Sequence, residues 1–519
     1  MLVALILAAY LVLVLKWEAF ADYDDSYFTL YSLRGIGFQP PIWAGSGRFF
    51  PLHIQEFNLV RHFTRSVAGY HAVPIVQLLI LSCLLIFLDR ALSITARATL
   101  SAVCLLMSSI VYSFTGLIFP ERNVVFWLAC LLFFVKLFEQ SGLTSWAVAA
   151  ALSAQNMIYY KETAFLLLLG FALGRLISRC RRADAKGWDY GLLKARESRL
   201  DLCLLFVGLC FFLYYGSVMF FHPSMEYARD YAIPWNEAIL YYLKLDPLAL
   251  VFVIVALTRA YLILRRRLTP LPFWDGLALG GLAYYAAFLY LRLCRPYYLA
   301  PVDFVAVLYA GRLLVLSWKG MPLWSKAATS LLAAAVLLQN VSLSAFHVYE
   351  RENMLHAKAE LADAIIAQSQ SGAGRVQRLF FPFSSSYLMT EFASYLVYRG
   401  LNVEGYQTDP RSVSPYGVAI ASPAFTKDGP CVDYRNFVCH GGSEPREGDL
   451  VIELPDDLES KDDFKPYRAS GELLFSYDPR PRIPQWMNPE LNYLRAASYR
   501  WRFAGLPDRW LHSSMILWK

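Results

Sequence analysis

Along the first two thirds of the chain, apolar residues run in blocks rather than in stripes. The blocks fall near 1–17, 70–89, 98–118, 124–140, 143–160, 163–179, 200–221, 247–264, 272–292, 297–316 and 325–346, with short polar stretches between them. A helix needs roughly twenty residues to cross about 30 Å of hydrocarbon. The pattern therefore predicts a polytopic α-helical membrane protein with about 11 transmembrane helices. After residue 346 the blocks stop. Tyr349–Ser369 reads as a polar-rich helix leading from the last span, and Arg378–Phe383, Val418–Ala421, Leu450–Glu453 and Glu472–Phe475 read as strands. Ser384 is placed to cap a helix through Arg399 that Gly400 ends. The chain thus divides into a transmembrane part, 1–346, with a long loop at 18–69, and a C-terminal α/β domain, 347–519, large enough for its own core. Within the loop, Leu52–Arg65 sets Ile54, Phe57, Leu59, Val60 and Phe63 among His53, Gln55, Glu56, Arg61 and Arg65. That spacing predicts a helix, lying either in the membrane interface or on a plain surface.

Composition sharpens this picture. Of the 519 residues 57% are hydrophobic and 17% charged, against about one quarter charged in a soluble domain. The net charge of +7 is gathered in a few loops. Arg179, Arg181, Arg182, Lys186, Lys194, Arg196 and Arg199 share one, Arg265–Arg267 form another, and Arg90 with Arg97 and Lys319 with Lys326 fall on the same side in an eleven-span count. The positive-inside rule places these loops and the N-terminus in the cytoplasm and the C-terminal domain outside. Such a chain belongs in a plasma membrane, the inner one in a bacterium, and its charge speaks of orientation rather than of nucleic acid. Ala19-Phe20-Ala21 resembles a signal-peptidase site, but no Lys or Arg precedes the first apolar block, which favours a retained helix. Seven of the nine cysteines lie in or beside apolar segments as small hydrophobes. Cys431 and Cys439 are a close pair in the polar outer third, where an oxidising compartment predicts a disulfide.

Candidate chemistry gathers on the outer side. Asp22, Asp24 and Asp25 follow the first apolar block, where a carboxylate at the hydrocarbon edge is partly desolvated and hence more basic. Arg48, Arg122, Lys161 and Arg295 lie at outer turns, which ought to be poor in such residues. A snorkelling side chain is the plain alternative for each, and Glu121 beside Arg122 and Glu162 beside Lys161 offer structural ion pairs. His53, His62, His71 and His222 lack the close spacing of a metal site. Asp22-Tyr23-Asp24 is formally an Asp-x-Asp pair suited to Mg²⁺ or Mn²⁺.

These pieces stand in an order that resembles the GT-C superfamily of multispanning glycosyltransferases, which includes protein O-mannosyltransferases and aminoarabinose transferases. Asp24-Asp25-Ser26-Tyr27 followed by Gly47-Arg48-Phe49-Phe50-Pro51-Leu52 is similar to the family's acidic pair and later Gly-aromatic-Pro-Leu segment. Glu121-Arg122, Lys161-Glu162 and Arg295-Pro296-Tyr297-Tyr298 with Pro301 resemble its later motifs. Two positions depart from it: Asp25 stands where Glu is common, and Phe50 where some relatives have Lys. The resemblance implies an inverting enzyme that takes sugar from a polyprenyl phosphate and passes it to a glycolipid, polysaccharide or protein. It requires no cofactor. Asp24 or Asp25 would be the base and Arg48, Arg122, Lys161 and Arg295 the grip on the lipid phosphate. Asp22, His53, Glu121, Glu162 and Tyr297 would support them. Two other readings compete. A transporter or flippase would place ionisable residues at the bilayer midplane and show repeat symmetry, and a polysaccharide polymerase or ligase would act on a diphosphate-linked oligosaccharide.

Overall fold

The computed structural model describes residues 1–17, 40, 42–43, 48–181, 191, 194–221, 234–293 and 295–371, and beyond these 377–381, 392–393, 395–396, 398–401, 424–426, 429–434, 437–441, 449–453, 473–476 and 516–518. The chain groups into two compact units. The first comprises Met1–Val14, Pro40–Glu56 and His71–His347; the second includes Phe57–Tyr70 and Val348–Lys519.

The helices of the first unit follow the apolar blocks. In chain order the helices are α1 (Leu2–Leu15), α2 (Glu56–Val60), of which only Glu56 belongs to the first unit, α3 (Val67–Leu88), which belongs to it from His71, α4 (Ile94–Leu105), α5 (Ser108–Thr115), α6 (Pro120–Ser141), α7 (Thr144–Tyr160), α8 (Ala164–Cys180), α9 (Arg196–Phe221), α10 (Trp235–Leu245), α11 (Pro247–Leu264), α12 (Pro272–Leu291), α13 (Ala300–Ser317) and α14 (Leu323–Ser371), the last continuing past the unit's end. Among the described residues six helices are long and apolar enough to cross a membrane, or seven if the bent pair α4–α5 is one span. By length and composition this count does not confirm the expected eleven, and three features account for the difference. With 17 residues each, α7 and α8 extend only about 25 Å at 1.5 Å per residue, and α1 is shorter still. Although α12 has 20 residues, Asp275 and its Gly, Tyr and Trp dilute it. The block at 98–118 is two helices bent by 63°. At that bend the Ser108 backbone N–H and Oγ both donate to Asn340 Oδ1, at 3.1 and 3.0 Å, and Ser344 Oγ donates to the Leu106 carbonyl at 3.0 Å. Side chains of α14 thereby satisfy backbone groups that a break would leave bare in lipid.

Two devices hold the bundle. Gly170 and Gly174 of α8 face Gly280 and Gly276 of α12 so closely that a Cβ on Gly280 would lie 2.5 Å from the Leu167 carbonyl oxygen. This is the small-xxx-small contact of membrane helices, worn by both partners. At the end where α6 and α8 finish, buried Arg175 reaches Asp201 of α9 at 2.5 Å and Glu139 of α6 at 3.0 Å, while Arg179 adds contacts of 3.0 and 3.2 Å to the same two acids. One Arg pair thus ties three helices.

In the second unit the described strands are β3 (Gln377–Phe381), β4 (Ala424–Thr426), β5 (Gly429–Tyr434), β6 (Phe437–Gly441), β7 (Leu450–Glu453), β8 (Leu473–Ser476) and β9 (Ile516–Trp518). They form one mixed sheet in the order β4-β5-β6-β3-β7-β9-β8, with β3 parallel to both neighbours. Expected strands near 378, 450 and 472 appear; the one at 418–421 lies outside the described residues, as does Ser384. The expected Cys431–Cys439 disulfide is corrected here, since no disulfide occurs among the described residues. The two cysteines sit on adjacent antiparallel strands one step out of register, with Cys431 opposite His440 and Val432 opposite Cys439. Neighbouring positions along a strand alternate between faces, so this register does not oppose them.

Candidate functional site: a crossed ion-pair cluster

Four helix ends and one hairpin make the site, the start of α2 supplying Glu56. Pro120, at the first position of α6, fits a turn where its missing N–H costs nothing, and it sets Glu121, Arg122 and Asn123 in the first turn. Lys161 and Glu162 occupy the tight turn from α7 to α8. The strands β1 (Ile42–Trp43) and β2 (Arg48–Phe49) pair antiparallel and present Arg48. Phe49 fixes the hairpin against Tyr159 edge-on, with ring centres 5.9 Å apart, and against Tyr214 at 4.8 Å. Just after it, the Leu52 N–H donates to the Tyr159 carbonyl at 3.2 Å.

The ion pairs cross between these segments rather than joining neighbours in sequence. Arg48 Nε lies 2.6 Å from Glu162 Oε1, Lys161 Nζ 3.1 Å from Glu121 Oε1, and Arg122 Nη2 2.6 Å from Glu56 Oε1. Adjacent residues do not face one another on a helix, which is why Glu121 turns to Lys161 and leaves Arg122 to Glu56. Glu56 also accepts from Asn123 Nδ2 at 2.9 Å and from the Tyr160 hydroxyl at 3.2 Å. Burial pushes the Glu162 carboxyl up, but Arg48 and Lys161 outweigh it and hold the group below its usual range.

His53 is buried at the centre of this arrangement, its ring 5.2 Å from that of Phe50. Burial first, then Lys161, Arg122 and Arg48, keep its pKa well below the ordinary histidine value, so the ring is neutral at pH 7. The next residue, Ile54, has φ +59°. A β-branched side chain in the left-handed region is strained, by about 1 to 3 kcal/mol. The helix expected over 52–65 is accordingly interrupted: a turn runs to Gln55, and only Glu56–Val60 is helical.

Beside the cluster stands an aromatic wall. Tyr297 stacks on Phe119 at 4.4 Å and near-parallel to Tyr112 at 5.9 Å, and Tyr298 stacks on Phe288 at 4.7 Å. Lys161 Nζ sits 4.9 Å above the Tyr298 ring, joining wall to cluster. Arg295 is exposed at the start of the short helical turn Pro296–Leu299 that carries both tyrosines.

Known structures offer a likeness at low identity. An oligosaccharyltransferase of Archaeoglobus fulgidus in the apo form aligns over 88% of this chain and 70% of its own, with TM-score 0.45 and 10% identity. ArnT of Cupriavidus metallidurans bound to undecaprenyl phosphate aligns over 92% of this chain and 96% of its own, with TM-score 0.45 and 13% identity, and its apo state gives 0.44 and 14%. No protein-family model and no curated protein matches the chain.

Of the residues singled out in the sequence, Arg48, Arg122, Lys161, Glu121, Glu162 and His53 meet in the cluster, and Tyr297 is in the wall. Asp22, Asp24 and Asp25 lie outside the described residues, so the proposed base and the Asp-x-Asp pair are not placed. Among the described residues no three metal-ligating side chains converge. Glu56, Asn123 and Tyr160 carry no motif that marks them in the sequence. Glu56 was legible only as one polar position on an amphipathic stretch. Tyr160 ends an apolar block, and Asn123 is a neutral residue following the charged pair Glu121-Arg122.

Proposed function

We propose that the chain is a membrane glycosyltransferase that moves a sugar from a polyprenyl phosphate to an acceptor hydroxyl at the outer face of the membrane. The observation that carries this reading is the meeting of Arg48, Arg122 and Lys161 at one end of an apolar bundle, beside an aromatic wall. Cations aimed at a phosphate offset the charge that grows on it as the bond from the sugar's anomeric carbon to phosphate oxygen breaks. Attack by the acceptor oxygen from the opposite side inverts that carbon. Asp24 or Asp25 takes the hydroxyl proton, and the leaving group departs as a phosphate monoester. Arg48 and Arg295, the more accessible cations, meet the phosphate first, while Lys161 is held for it by the Tyr298 ring. The wall of Tyr112, Phe119 and Tyr297 suits the apolar face of a sugar or the first isoprene units.

One observation favours the flippase reading. The bent pair α4–α5 is a discontinuous helix inside the bundle, and Ser109 in its second half donates to the buried Asp303. Such breaks line the substrate paths of transporters. The test is sugar transfer by the purified chain in liposomes. Asp24→Asn or Asp25→Asn should lower turnover by on the order of a hundredfold or more while lipid phosphate still binds. Wild-type turnover in both variants would remove the assignment of the base to Asp24 or Asp25, and no sugar transfer by the wild-type chain would put lipid translocation first.

A further inference from the structure

Each described cation of the cluster is already paired with a carboxylate. The cluster's described members are three cations, Arg48, Arg122 and Lys161, and three carboxylates, Glu56, Glu121 and Glu162, with a neutral His53 among them. A phosphate that enters must take a cation from a carboxylate already holding it. The three carboxylates differ in how readily they can leave. Glu121 is in the first turn of α6 with its side chain 0% exposed, and Glu162 is in a tight turn at 6%, whereas Glu56 is at 16%. Glu56 is also the member that heads a five-residue helix rather than lying at the end of a long one. The turn that delivers it contains the strained Ile54, two residues before it. Its three donors, the Arg122 guanidinium at 2.6 Å, the Asn123 amide at 2.9 Å and the Tyr160 hydroxyl at 3.2 Å, form a set that would serve a phosphate oxygen equally well.

We propose that Glu56 holds the place of the substrate's phosphate on Arg122, and that it swings away when a lipid phosphate arrives. The proposal rests on the reading of the chain as an enzyme that binds a lipid-linked phosphate, and it names the contact by which the empty site is kept closed. Arg122, fully buried beneath Glu56, becomes a phosphate ligand only in the displaced state. Relaxation of the Ile54 turn accompanies the movement and offsets part of the cost of breaking the pair.

The test is a titration of the full chain in detergent micelles with undecaprenyl phosphate. Removing a competing carboxylate should tighten binding, so Glu56→Gln is expected to lower the Kd about tenfold, the equivalent of about 1.4 kcal/mol. The gain should vanish when Arg122→Gln is combined with it, because the contested cation is then gone. A merely structural Glu56 predicts the opposite sign, with binding unchanged or weaker in Glu56→Gln. Should that variant not fold, Glu56→Asp, one methylene too short to reach all three donors, should still bind a few-fold tighter than wild type; equal or weaker binding by Asp overturns the proposal. If the wild type binds the lipid phosphate and neither variant binds it more tightly, the Glu56 inference falls and the enzyme reading stands. Absence of binding in the wild type and every variant removes both.

Discussion

Lys161→Met removes the cation that pairs with Glu121 and sits over Tyr298, and keeps an unbranched side chain of similar length. Glu121 is 0% exposed and its ion-pair partner is Lys161 Nζ at 3.1 Å. Deleting one member of a buried pair leaves the other charge uncompensated, at a cost of about 3 to 5 kcal/mol. The Lys161 side chain is itself only 9% exposed, so solvent screening does little to reduce that figure. Adding Glu121→Gln removes the stranded charge as well, and the double variant should recover to within about 1 kcal/mol of wild type, as neutral replacements of buried pairs do. The assay is the midpoint of thermal unfolding in one detergent at one scan rate, followed by the intrinsic fluorescence of the tryptophans. The single variant should fall by several degrees and the double should return most of that loss. The double variant should nonetheless bind lipid phosphate at least tenfold more weakly, since the phosphate has lost a cation that stability no longer needs. A double variant as unstable as the single would refute the reasoning, because the loss would then lie in packing and not in the stranded carboxylate.

Other expectations follow from single contacts. Because the His53 pKa is depressed in the folded protein, the unfolded chain takes up a proton below about pH 6.5 that the folded chain refuses, and stability should fall with pH there by up to about 1.4 kcal/mol per unit. Thermal midpoints between pH 7.5 and 5 should show the slope, and His53→Gln should flatten it; an unchanged slope would argue against a neutral buried ring. Gly280→Ala places a Cβ 2.5 Å from the Leu167 backbone oxygen and should cost about 1 to 3 kcal/mol. By contrast Gly216→Ala, with nothing within 4 Å, should be neutral or stabilise α9 by up to about 1 kcal/mol; equal midpoints for the two would contradict the close approach of α8 and α12. Protease protection should find a tag at Lys519 and a tag in the 181–199 loop on opposite sides of the membrane, and protection of both on one side would overturn the proposed orientation.

The sequence carried a good deal of this, and the rest was hidden for physical reasons. Apolar blocks place helices well because burial in lipid tolerates almost any order of apolar residues, so α3, α6, α11 and α14 appear where the blocks do. The blocks alone do not settle the number of spans, because a 17-residue helix such as α7 and a broken pair such as α4–α5 read alike with full crossings. Charged residues at block edges mark where helices begin and end, which is how Arg122 and Lys161 could be singled out. Which carboxylate each would hold was not legible. The crossing of Glu121 to Lys161 and Glu162 to Arg48 depends on how α6, α7 and the β1–β2 hairpin meet in space, a long-range matter that no local spacing encodes. The Cys431–Cys439 expectation failed on the finest scale, since one residue of register decides whether two strand positions oppose each other.

Recognition of a lipid by its phosphate is what the proposed function asks of the cluster, and the most direct measurement compares two ligands that differ only there. Undecaprenyl phosphate and undecaprenol, titrated separately into the full chain in detergent, present the same isoprenoid tail with and without the charged group. The phosphate should bind at least about a hundredfold more tightly, a preference reduced about tenfold or more by Arg48→Ala and by the Lys161→Met, Glu121→Gln pair. Equal affinity for the alcohol and the phosphate, or a preference that survives both changes, would contradict this recognition.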